Sequence, residues 1–176
     1  MQKMVIDNDA FFERVVAMLQ AGQRVTIPVK GYSMLPFIRG ERDLVELQAA
    51  SSYEPGDIVL FRVGGRYIMH RLQAVDAEGM AEIMGDGVWR ACEHCPVTDI
   101  YGRAIRILRG GKRAIDPRSP RELRRARRWK RLLPARRWLL VLYKRLPWNL
   151  WLLFEQRAGW VKAHLSKRKA AASENE

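Results

Sequence analysis

The run Asp57–Val75, DIVLFRVGGRYIMHRLQAV, sets two strand-like segments back to back around Gly64-Gly65. Val, Ile, Leu, Phe and Tyr crowd Asp57–Val63 and Tyr67–Val75, and such residues favour extended, half-buried backbone. A glycine pair between two runs of this kind supplies the backbone freedom of a tight hairpin. The segment therefore reads as an antiparallel hairpin.

The pattern repeats outward from it. Val25, Ile27 and Val29 alternate with Thr26, Pro28 and Lys30, and the proline marks an edge strand. Asp43–Leu47, Ala81–Met84 and Ile100–Leu108 are further short runs bounded by turn signals. Ahead of them Phe11, Phe12, Val15, Val16 and Leu19 recur at helical spacing, with Asn8 or Asp9 as cap and Gly22 as stop. One helix followed by about six short strands predicts a mainly β domain, a curled antiparallel sheet or partial barrel.

The charge changes character behind this region. The chain carries 32 Lys and Arg against 19 Asp and Glu, a net charge of +13. From Arg109 onward basic residues dominate, with Trp and Leu among them. We therefore expect a boundary near Gly110-Gly111, a linker over Asp116–Pro120, and two parts, 1–110 and 111–176. Ser119-Pro120 opens a helix that runs to Leu133. A second helix is expected over Ala135–Leu146, and a third over Trp148–Leu165.

A serine needs a base to become a nucleophile. Ser33 lies in Gly31-Tyr32-Ser33-Met34-Leu35-Pro36, directly after a strand. There Gly31 allows close backbone approach and Pro36 fixes the exit. His70 lies mid-strand and by alternation shares a face with Ile68 and Leu72, which sends Arg71 the other way. Taken singly, a serine in a Gly/Pro turn and a histidine on a strand's core face are more often structural than catalytic.

Together they stand in an ordered set: Gly31–Pro36, Gly56–Phe61, Met69–Leu72, Met84–Gly87 and Asp99–Ile105. This set resembles the boxes of the signal peptidase and LexA-like serine peptidase superfamily over roughly Gly22–Ile107. It is closest to the branch that uses histidine as base, because no lysine lies between Lys30 and Lys112. The resemblance implies Ser33 as nucleophile, His70 as general base, and Asp86 as the acid that orients the histidine. Gly31, Met34 and Pro36 are the implied binding positions, and no cofactor is implied. Asp57, which follows Gly56 at a strand start, reads as a turn-bonding carboxylate instead. Many relatives carry a hydroxyl residue two positions before the nucleophile, where it helps bind the oxyanion. This chain has Gly31 there, a departure worth on the order of 3 kcal/mol of transition-state stabilisation if nothing replaces the donor.

The two cysteines, Cys92 and Cys95, form a Cys-x-x-Cys in an expected loop. Half a zinc site and a redox pair are the chemical readings, but no second ligand pair is visible, which favours two loop thiols. Met1–Asp9 has no apolar core behind a basic end, so no signal peptide is expected.

The basic, Trp-rich tail has the composition of a helix lying among lipid headgroups, with an anionic membrane surface as partner. Nucleic-acid binding and a solvated basic face are the alternatives, and the membrane is preferred. A span over Trp138–Phe154 is rejected in favour of a re-entrant or surface-lying pair of helices. Lys144 and Arg145 oppose insertion by roughly 5–7 kcal/mol, and about nine aliphatic residues return only about 3–5 kcal/mol. The expected function is a serine endopeptidase removing a leader or signal segment from a peptide or preprotein, membrane-associated at the cytoplasmic face. An inactive member acting as a binding module and a LexA-like autoproteolytic regulator are the other readings.

Overall fold

The computed structural model describes residues 8–145. It is mainly β, with α1 (Asn8–Gln20), β1 (Val25–Pro28), β2 (Leu44–Gln48), β3 (Ile58–Val63), β4 (Arg66–Val75) and β5 (Met80–Met84). They are followed by β6 (Glu93–Pro96), a 3-10 turn, β7 (Ile100–Arg109), β8 (Arg113–Ile115), α2 (Pro120–Arg131) and α3 (Leu133–Arg145). The expected helix over Trp148–Leu165 lies outside the described residues.

All strand pairings are antiparallel, in the order β1-β2-β7-β3-β4-β5-β6, with β8 paired to β7. The sheet is curled and open, as the patterning predicts. Val63 pairs with Arg66 across the Gly64-Gly65 turn, where both glycines have positive φ, 55° and 78°. The left-handed region is cheap only for glycine, so these residues set the hairpin register.

Apolar clusters cover both faces. Ile58 and Leu60 of β3 join Leu19, Ile27, Met34, Ile38, Val45 and Leu47 in one cluster. Val59 and Phe61, pointing the other way, join Leu72, Ala81, Ile83, Cys95 and Ile100 in a second. Burial of a strand on both faces removes the solvent side that simple alternation assumes. Arg71 illustrates this: it points away from the His70 face, as alternation requires, yet is only 6 % exposed.

The chain divides into compact units Met1–Arg137 and Trp138–Glu176. Ser119 Oγ accepts from the Glu122 N–H at 3.4 Å and Pro120 opens the helix, as its sequence predicts. Ala126 enters the first cluster, and Trp129 packs against it. Trp129 Nε1 also donates to the Asp86 carbonyl at 2.7 Å. The connecting segment is held by Arg118, whose guanidinium lies 3.1 Å from Asp57 and 2.8 Å from Glu54. Asp57 additionally accepts the Glu54 N–H at 3.1 Å, the turn role read from its position. No helix among the described residues is long and apolar enough to cross a membrane.

Candidate active site

The loop after β1 carries Ser33. Gly31 has φ 78° and its carbonyl accepts the Gly40 N–H at 3.1 Å. A Cβ on Gly40 would meet the Gly31 backbone, so this glycine pair closes the loop on itself. Gly31 is therefore a turn position, and a hydroxyl residue there would sit in a strained left-handed conformation. Ser33 is partly exposed and Tyr32 is 55 % exposed. Met34 is 2 % exposed in the first cluster, and Pro36 is partly buried. The Met34 side chain thus serves the core and is not offered to a ligand, unlike its implied binding role.

The Gly85-Asp86-Gly87 turn packs directly on this loop. Gly87 N–H donates to the Ser33 carbonyl at 2.7 Å. A Cβ on Gly85 would lie 2.5 Å from the Ser33 carbonyl oxygen and 2.9 Å from His70 Nε2. A Cβ on Gly87 would collide with the Tyr32 carbonyl. Only glycine permits this approach, and through Gly85 the Ser33 loop and the His70 ring become neighbours. Ser33 Oγ and Ser33 N–H make no hydrogen bond among the described residues. The N–H thus has no acceptor among the described residues.

His70 pairs with Val59 across the β3–β4 ladder and faces the second cluster, its ring centroid 6.4 Å from that of Phe61. Its side chain is 7 % exposed. The Nδ1 atom lies 3.1 Å from Glu93 Oε2. With Glu93 ionised, Nδ1 carries the proton and Nε2, on the Gly85 side, presents its lone pair.

Asp86 does not orient the histidine. Its carboxylate accepts from Arg71 Nε at 2.9 and 3.1 Å and from Arg71 Nη2 at 2.7 Å. Both residues are buried, and Arg71 Nη1 also donates to the Gly56 carbonyl at 2.7 Å. The reason is strand geometry. Arg71 leaves β4 on the face opposite His70, and Asp86 follows it there.

Glu93 is the carboxylate that lies against His70 Nδ1. It lies on β6, opposite Ile83, two residues before the buried Cys95. Period-two alternation puts both side chains on the face that holds His70. A strand reading of Glu93–Pro96 would have found it, but four residues that end in Cys95-Pro96 carry little pattern. Cys92 is exposed and donates to Glu82 Oε1 at 3.3 Å. The two thiols thus occupy different surroundings, and no group of three or more metal-ligating residues forms among the described residues. Comparison with protein-family models and with curated proteins gives no match for this chain.

Proposed function

We propose that the chain is a serine endopeptidase of the signal-peptidase type, with Ser33 as nucleophile, His70 as base and Glu93 as the acid behind it. The observation that carries the reading is the position of the imidazole. Nδ1 is tied to a carboxylate, and Nε2 lies on the far side beside the Ser33 loop. The ordered boxes from Gly31 to Ile105 support it independently.

In the proposed reaction Ser33 Oγ attacks a peptide carbonyl while His70 Nε2 takes its proton. Glu93 stabilises the imidazolium that forms. The Ser33 N–H donates to the developing oxyanion, which partly answers the missing hydroxyl at Gly31. The imidazolium then protonates the leaving amine, and water cleaves the ester by the reverse sequence. The substrate is a peptide with a removable leader.

The basic α2 and the tail dock the enzyme to an anionic membrane surface, each basic residue near the leaflet contributing about 1 kcal/mol. The test is labelling of Ser33 by a fluorophosphonate together with cleavage of leader-bearing peptides. Ser33→Ala and His70→Ala are each expected to abolish both activities. Full cleavage by either variant overturns the assignment.

A further inference from the structure

A cavity lies behind β4, on the face opposite His70, between the Pro55-Gly56 turn and α2. Its volume is about 160 Å³, and Arg71, Asp86, Leu123, Arg127, Lys130 and Arg136 line it. Four of these residues are cations and one is an acid. Arg71 already satisfies Asp86 with three contacts. Arg127 and Lys130 are exposed and form no ion pair among the described residues. Arg136 is 3 % exposed, and its guanidinium donates to the carbonyls of Val88 at 2.8 Å and Trp129 at 3.3 Å. Its buried Nε has no hydrogen-bond partner among the described residues.

A buried guanidinium N–H without an acceptor is costly, and so is an uncompensated charge cluster. Burial pushes the Arg136 pKa down, Asp86 raises it and Arg71 lowers it again. An anion in the cavity offsets the charge of the cations that line it. Arg127 and Lys130 form no ion pair among the described residues, and a single carboxylate neutralises only one of them. A phosphate brings up to about two charges and several acceptor oxygens. The volume agrees: it equals the liquid volume of about five waters, and sites for drug-sized ligands run to about 300–1,000 Å³.

We infer that this cavity binds a phosphate group, gripped by Arg127, Lys130 and Arg136 on the side of β4 away from the serine–histidine pair. The phosphate comes either free in solution or as the headgroup of an anionic lipid, the latter giving the basic helix a specific foothold on the membrane.

The test is calorimetric titration of the full chain with inorganic phosphate at constant ionic strength set by chloride. Saturable one-to-one binding is expected, weakened at least tenfold in the Arg127→Gln/Lys130→Gln double variant. Arg121→Gln/Arg124→Gln, with the same charge loss on the same helix outside the cavity, is expected to leave the affinity within twofold. Arg127 and Lys130 are exposed, so both variants fold, as circular dichroism checks. Co-sedimentation with phosphatidylglycerol vesicles separates the sources. Displacement by inorganic phosphate in the parent, lost in the double variant, assigns the headgroup; vesicle binding indifferent to phosphate assigns the free anion. Absence of saturable phosphate binding, or equal weakening in both double variants, overturns the inference. Neither result touches Ser33 labelling, so the peptidase reading is tested separately.

Discussion

Glu93→Gln separates a catalytic carboxylate from a structural one. The substitution keeps size and hydrogen-bonding capacity but removes the charge facing His70 Nδ1 at 3.1 Å. Two unit charges about 4 Å apart at an effective dielectric of about 20 interact by about 4 kcal/mol. The Glu93 side chain is 23 % exposed, and solvent screening reduces this to about 2 kcal/mol. That figure corresponds to roughly 30-fold in rate. An amide can also donate to Nδ1 and select the wrong tautomer, which in serine proteases raises the loss toward about 10⁴. The expected fall in the fluorophosphonate labelling rate of Ser33 thus lies between about 30-fold and 10⁴-fold. Stability should change by no more than about 1 kcal/mol, since one partly exposed hydrogen bond is affected. Asp86→Asn should behave in the opposite way. It leaves the buried Arg71 unpaired, costing about 3–5 kcal/mol and lowering the melting temperature by on the order of 10 °C. A Glu93→Gln rate within threefold of the parent would refute the reasoning. So would an Asp86→Asn protein with its melting temperature intact and its labelling rate lost.

Three further outcomes follow from the packing. Gly85→Ala forces a methyl group to 2.5 Å from the Ser33 carbonyl and 2.9 Å from His70 Nε2. It should cost about 1–3 kcal/mol in denaturant titrations and abolish labelling, whereas Gly65→Ala, with nothing within 4 Å but a φ of 78°, should lose stability only. Burial alone would raise the Asp43 pKa, but hydrogen bonds from Arg42 and the N–H groups of Arg39 and Gly110 hold it below its ordinary value of 3.8. Asp43 therefore contributes stability that is fully present above about pH 4 and lost as pH falls through the lowered value. Asp43→Asn should flatten the acid limb of a stability–pH curve. Burial, with Asp99 nearby, pushes the Cys95 thiol up to about 11. At pH 8 iodoacetamide should modify exposed Cys92 in the native chain and reach Cys95 only after unfolding, as peptide mapping would show.

The hairpin, the succession of the main strands along the chain and α1 were legible because each carries an unbroken period. The structure gives Gly85 and Gly87 a physical reason: backbone of one loop rests where their side chains would be. Other features escaped for physical reasons. The burial of Arg71 is invisible to alternation, which distinguishes two faces but not whether both are covered. Glu93 and the strand that carries it were hidden by brevity, as was β8. The union of α2 with the β unit was masked by its arginines. Leu123, Ala126 and Trp129 recur every three residues beneath them, the stripe by which the helix docks.

The position of β6 at the end of the strand order has a consequence for control. The carboxylate behind His70 is supplied by a four-residue border segment that is hydrogen-bonded to a neighbour on one side only. Border segments open at a small fraction of the energy needed to unfold the whole. A ligand, a crowded surface or mild warmth that loosens this margin would withdraw the carboxylate from the imidazole while the rest of the sheet stayed intact, so that under the proposed function competence for chemistry and survival of the fold would be separately adjustable.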